Sequence, residues 1–279
     1  MGVTVRHTEL NALFGFAERQ LHVVKRYWLW ELVWLFYSLV SVLSIGYLAS
    51  GLGALGVEGG GSFDLHKAQL YLLLGALLWG YLSLVFMEAA YAISWERWEG
   101  TIEYTFMAPV RRVTHLFGIC LFAIGYGLAR TLVVLVVAAA LFSLDFSHAN
   151  VLAAVVVLAA STVPLIGLSI LTSVLPLLSP QKGEQMSIAI QGFLLLVSGV
   201  YYPLSVLPVP MQVAGAASPL TYALDGIRRS LLDGASVGEL APTIGILLAI
   251  GAALIPASVL VFGWAENRAK RLGLLKRSG

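Results

Sequence analysis

The chain is 279 residues long, 59% apolar and only 11% charged, with a formal net charge of +2. Soluble domains carry roughly a quarter charged and about half apolar residues, so a soluble protein with a large extramembrane catalytic domain is excluded. The 17 basic residues are scattered among apolar runs rather than gathered into a face for nucleic acid, and the single cysteine, Cys120, excludes an intrachain disulfide framework and reads as a small buried hydrophobe.

Residues 1–27 are polar and partly amphipathic. The first apolar run begins only near Tyr27, so nothing here has the form of a cleaved signal peptide, and the first span is expected to stay in the protein. Leu10, Leu13, Phe14, Ala17, Leu21, Val24 and Trp28 recur at helical spacing, while Glu18, Arg19, His22, Lys25 and Arg26 take other faces. This predicts a helix lying in the membrane interface, its apolar stripe among membrane lipids and its cations near anionic headgroups. A soluble helix seated on a partner is the alternative.

Long runs with few charges predict six spans, over 28–49, 69–93, 116–144, 151–177, 188–208 and 240–264. No alternation at period two is visible, and helices alone satisfy their own backbone in lipid, so an all-α integral membrane fold is predicted. The whole of 1–279 then forms one transmembrane domain: the interfacial helix of 1–27, a six-span region over 28–264 and a basic tail over 265–279. Thirteen of the Lys and Arg residues fall in the N-terminal stretch, the second and fourth connections and the tail; three, Lys67, Arg228 and Arg229, fall in the alternate connections. Both termini are therefore expected to be cytoplasmic.

The glycines between Gly51 and Ser62 follow a span on the outer side and predict a flexible external loop. No G-x-x-x-x-G-K-[ST] sequence occurs, so no nucleotide is bound through a P-loop. His7, His22, His66, His115 and His148 show neither H-x-x-x-H nor H-E-x-x-H spacing, which predicts no metal site and argues against a membrane enzyme.

Two charges lie inside predicted spans, where each costs roughly 2.5–3.5 kcal/mol on insertion scales. Glu88 would sit about 9 Å and Arg130 about 21 Å from the basic side at 1.5 Å per residue. Adjacent antiparallel spans make them an expected pair; direct contact of Arg130 with cargo, or exposure to a water-filled space, are the alternatives. Glu31, one turn into the first span, is expected near Lys25 or Arg26.

In the second connection, Trp95, Trp98, Ile102 and Phe106 fall within about an 80° arc of one helix, with Glu96, Glu99 and Glu103 as an adjoining acidic stripe and Pro109 as the terminator. Carboxylates beside aromatic anchors suit a groove on another protein, and equally a solvated charged face. Before the last span, Pro203, Pro208, Pro210 and Pro219 cannot share one continuous helix. Re-entrant half-helices on the outer side, or an irregular capping loop, account for the break.

Glu99-Gly100-Thr101-Ile102-Glu103 followed by Met107-Ala108-Pro109-Val110-Arg111-Arg112, and later Ser198-Gly199-Val200-Tyr201-Tyr202-Pro203 with Ser218-Pro219-Leu220-Thr221-Tyr222, resemble two motifs of type-2 ABC transporter permeases, in the family's order. The resemblance implies a transmembrane subunit of an ABC exporter in a prokaryotic cell (inner) membrane, working with a separate ATP-binding cassette subunit and either a second copy of itself or a paired permease. ATP and Mg would sit on the cassette, with no cofactor and no catalytic residue on this chain. It implies a coupling helix at Glu96 to Met107, with Glu96, Arg97, Glu99, Gly100, Thr101 and Glu103 toward the cassette, and a smaller contact around Gln181, Lys182, Gly183 and Glu184. It places an external gate at Tyr201, Tyr202, Pro203, Pro208, Pro219 and Tyr222. A cavity lined by apolar and aromatic residues would favour amphiphilic, drug-like, lipid or lipid-linked cargo. The competing reading is an ion-coupled secondary transporter, which usually shows internal repeats and several midplane ionisable groups.

Overall fold

The computed structural model describes residues 2–54, 65–142 and 149–275. Most of the predicted glycine-rich loop and, in the tail, Lys276 and Arg277 lie outside these residues. The described chain contains ten α-helices and no strand, so the fold is all-α. Five helices are long and apolar enough to cross a bilayer: α2 (Trp28–Ala54), α3 (Leu65–Glu99), α5 (Arg112–Phe142), α6 (Val151–Leu178) and α10 (Ala241–Arg271). They correspond to five of the six predicted spans.

The bounds of the predicted span over 188–208 are corrected. Helix α7 (Gly183–Val197) has 15 residues and ends at Ser198. At 1.5 Å per residue it is about 22 Å long, shorter than the other five, and it still carries the chain from the turn at Lys182 to the broken segment at the opposite end of the bundle. Gly199, at φ +71°, takes the left-handed position that glycine adopts without strain, and the prolines beyond it prevent the helix from resuming in line. The chain turns through a single 3-10 turn at Leu204–Val206 into two short helices, α8 (Val209–Ala217) and α9 (Pro219–Leu232). Here the expectation of half-helices before the last span agrees with the fold.

A core of Tyr81, Leu82, Val85, Phe86, Val157, Leu165, Leu224 and Ile227 joins α3, α6 and α9. A second cluster, including Ile93, Ile102, Phe106, Ile170, Leu177 and Phe262, fills the opposite end of the bundle. Helix α10 lies along α6, and a Cβ on Gly167 would come within 2.8 Å of the Leu254 Cβ, so the two backbones meet where the side chain is missing. Helix α2 is peripheral: Trp30, Trp34 and Tyr37 face outward in an edge-to-face ladder with centroids 6.4 and 6.1 Å apart. Outward aromatics at the beginning of a span are the usual anchors at a membrane surface.

Helix α1 (Gly2–Arg26) does not commit its whole apolar stripe to lipid. Leu13 and Phe16 lie against α5, where a Cβ on Gly118 would meet the Leu13 carbonyl at 2.6 Å, whereas Leu10, Phe14 and Leu21 are exposed. Polar residues of the other face supply the reason. Glu9 accepts from the Arg111 backbone N–H at 3.4 Å and from the Thr114 hydroxyl, and Arg19 reaches Glu96 at 2.5 Å.

Candidate functional site

At the basic face, formed by α1, the ends of α3 and α10 and the start of α5, the predicted continuous helix from Trp95 to Met107 is corrected. Helix α3 stops at Glu99, and Gly100 takes φ +77°. The Thr101 N–H reaches the Glu96 carbonyl at 2.8 Å and the Gly100 N–H the Arg97 carbonyl at 3.2 Å, the paired bonds that close a helix over a left-handed glycine. A separate helix of six residues, α4 (Ile102–Met107), then runs off in a new direction and ends at Ala108, ahead of Pro109.

This break redistributes the predicted site residues. Glu96 and Arg97, expected on the outward face, are each 2% exposed. Glu96 is held by Arg19 and, at 3.1 Å, by His115 Nε2, which itself lies against the Phe16 ring. Arg97 donates to the last carbonyls of α6, Pro176 and Leu177, both at 3.2 Å, and to the Leu274 carbonyl. Arg112 donates to the Thr105 and Phe106 carbonyls and pairs with Glu266 at 3.2 Å, and Lys270 completes that group at 2.7 Å. Buried cations thus satisfy the carbonyls left at the ends of α4 and α6, which would otherwise be desolvated without partners. Trp98, expected beside Ile102 and Phe106, is 66% exposed, while those two are buried.

What faces outward is compact. Trp98, Glu99, Glu103, Tyr104 and Met107 are all exposed, the last two by 78% and 81%. Gln181 and Lys182, in the turn after α6, are exposed as well. Because Arg97 binds both the end of α6 and the tail, this turn and α4 are framed by one buried hydrogen-bond group. An acidic and aromatic patch on a backing of buried ion pairs can seat in a basic groove and carry a push into the bundle without deforming.

On the opposite face, the predicted gate residues hold the broken segment together. Tyr202 donates to the Leu196 carbonyl at 2.8 Å and Tyr222 to the Ala216 carbonyl at 2.8 Å, so each tyrosine caps the end of a neighbouring half-helix. Pro203 and Pro208 precede the 3-10 turn and α8, and Pro219 opens α9, positions where a missing N–H costs nothing. Tyr201 is half-buried against the core. Ser198 and Ser218 share a hydrogen bond at 3.0 Å. The centre of the segment is Arg228, which the sequence reading counted only as an external cation. It is buried, donates to the carbonyls of Gly199 at 2.8 Å, Tyr71 at 3.2 Å and Val200, and lies 3.6 Å from the centroid of the Tyr71 ring. Past α9, the backbone N–H and hydroxyl of Ser236 donate to Glu239 and hold its carboxyl below the usual range.

The expected pair of Glu88 and Arg130 is not formed. Gln20 donates to Glu88 at 3.5 Å, whereas Arg130 donates to the Trp34 carbonyl at 2.6 Å and the Ser38 hydroxyl at 2.5 Å. Glu31 is likewise corrected: it accepts from Tyr126 across a groove of about 200 Å³ between α2 and α5. A stability cycle on Glu88→Gln and Arg130→Gln is expected to show a coupling below about 1 kcal/mol, since no hydrogen bond or ion pair joins the two. Thermal melts in detergent measure it. A double variant more stable than the sum of the losses would restore the direct pair.

A family model described as ABC-2 type transporter matches residues 12–232, a region that holds the α4 patch and the broken segment together. No curated protein matches the chain.

Proposed function

Because the chain belongs to the ABC-2 type transporter family and is thereby a permease of an ABC transporter, we propose that it is the membrane subunit of an ATP-driven exporter whose energy comes from a separate ATP-binding subunit. The reading rests on one observation above all. The exposed patch of Glu99, Glu103, Tyr104 and Met107 stands on a frame of buried Glu96, Arg97, His115 and Glu266 with partly buried Arg19 and Arg112, which ties α4 to α1, α3, α5, α6 and α10. Movement at the patch is then transmitted as displacement of whole helices, the mode by which packed bundles change state.

In this reading the basic face is cytoplasmic, both termini lie there, and the membrane is the inner membrane of a prokaryotic cell. ATP and Mg are held by the partner subunit, and this chain supplies no catalytic group. Two permease copies, or one copy and a paired permease, enclose the cargo path, whose apolar and aromatic character suits amphiphilic cargo such as drug-like molecules, lipids or lipid-linked glycans. The half-helices α8 and α9 close that path on the outer face.

Co-expression with the separate ATP-binding subunit tests the proposal. The two are expected to purify as a stoichiometric complex that hydrolyses ATP, while the permease alone hydrolyses none. Failure to associate in membranes and in mild detergent alike would remove the reading.

A further inference from the structure

The last turns of α10 present a surface that the proposed transport cycle does not use. At 100° per residue Leu260, Trp264, Asn267, Arg268 and Arg271 share an arc of about 100°. Along it the helix changes from apolar to cationic: Leu260 is 74% and Trp264 56% exposed, and Arg268 and Arg271 are exposed one to two turns further on. Trp264, Asn267, Arg268 and Arg271 surround a shallow groove open to the surroundings on one side of α10, about 240 Å³ in volume, with the Arg268 guanidinium 5.7 Å from the Trp264 ring centroid.

The remaining cation of this turn behaves differently. Lys270 lies outside the arc and is neutralised by Glu266, which also receives Arg112. Among the described residues, neither Arg268 nor Arg271 has a carboxylate partner. Two uncompensated guanidiniums therefore converge with an amide and an indole at the level where an outward apolar helix face ends.

We infer that this groove binds the phosphodiester headgroup of an anionic glycerophospholipid, with Arg268 and Arg271 on the phosphate oxygens, Asn267 as an additional donor, and the acyl chains lying along Trp264 and Leu260. Guanidinium forks suit phosphate oxygens, and the indole suits the boundary between headgroup and acyl chain. The apolar face continuous with the groove selects a lipid over free phosphate, and an acidic protein surface would leave that apolar run without a match. The site does not depend on the direction of transport or on the coupling patch.

The full-length chain in mild detergent, titrated with phosphatidylglycerol or phosphatidylcholine and read by native mass spectrometry, tests the inference. Each cation near an anionic headgroup is worth about fivefold in affinity, so Arg268→Gln with Arg271→Gln is expected to weaken phosphatidylglycerol binding about 25-fold and phosphatidylcholine binding much less, because the choline cation already offsets the same phosphate, so that the preference for phosphatidylglycerol is lost. Lys270→Gln removes the same kind of charge from the other face and should change phosphatidylglycerol binding less than about twofold. Arg268→Lys with Arg271→Lys controls for folding and should retain most of the preference. Wild-type binding without preference for phosphatidylglycerol, equal losses in Lys270→Gln and the double variant, or displacement of the lipid by millimolar inorganic phosphate would each overturn the site. So would a double variant that binds phosphatidylglycerol normally but no longer co-purifies with the ATP-binding subunit, because the groove would then be a protein contact.

Discussion

Replacing Arg228 with leucine is expected to unseat the broken segment after α7 and lower stability by about 3 kcal/mol, because several buried carbonyls lose their donor at once. The side chain of Arg228 is the only group described as donating to the carbonyls of both Gly199 and Val200, which follow directly on the end of α7. Leucine fills the volume but supplies no donor. Lysine keeps the charge yet offers a single point instead of a fork and loses the stacking on Tyr71, so it should recover only part of the loss. Tyr202→Phe removes one hydrogen bond of 2.8 Å, worth about 1 kcal/mol, and provides the graded comparison. Thermal melts in detergent give the order, and hydrogen exchange should report the leucine variant's opening at residues 198–217 before the rest of the bundle. Uniform protection in the leucine variant would mean that the segment is held by apolar contact alone.

The second large effect is expected at the α4 patch. Glu103→Lys with Tyr104→Ala changes two exposed side chains and no buried contact, so insertion and melting temperature should remain close to wild type. Association with the ATP-binding subunit should weaken by at least tenfold, since charge reversal at a desolvated contact costs several kcal/mol. Glu96→Gln should do the opposite. It leaves the outward patch chemically intact but strips the carboxylate from Arg19, which is a third exposed, and from the buried His115, so stability should fall by about 1–3 kcal/mol, as when a hydrogen bond to a buried charged group is lost. The pair of experiments separates the docking surface from its support, two roles that the acidic residues of this connection share out between them.

How much of this was legible in the sequence depended on the length scale of the signal. Five spans were legible because an apolar run of twenty or more residues has one stable form in lipid, and the positions of Pro203, Pro208 and Pro219 announced the broken segment. The helix within 188–208 ends earlier than its apolar composition suggests, and Gly199, ahead of Pro203, marks the point where the backbone turns. Gly100 has the same meaning in the second connection: it ends α3 and redirects α4, so Ile102 and Phe106 are buried while Trp98 is exposed, instead of all three sharing the face of one straight helix. The correct signal was a glycine one position past a charged helix end, followed by threonine.

The partners of the buried charges were not legible at all. Glu88 and Arg130 are close in any hairpin diagram of adjacent spans, but hydropathy does not report the rotation of α3 and α5 about their axes. It was α1, read as a helix lying in lipid, that supplied Gln20 to Glu88 and Arg19 to Glu96. Arg228 was invisible for a related reason. A cation in an external connection is ordinarily solvated, and only the return of the chain at Gly199 brings carbonyls to it.

The central claim is that the basic face and the outer segment belong to one machine, moved by ATP on a partner. A cysteine introduced by Val209→Cys, at a site 71% exposed at the start of α8, in a Cys120→Ala background, reports on it directly. With the complex in sealed vesicles, the rate of labelling by an impermeant thiol reagent is measured in the nucleotide-free state and with ATP trapped on the partner subunit. The account predicts a severalfold change in rate between the two states, abolished by Glu103→Lys with Tyr104→Ala. Equal rates in both states, in a complex that still hydrolyses ATP, would contradict it.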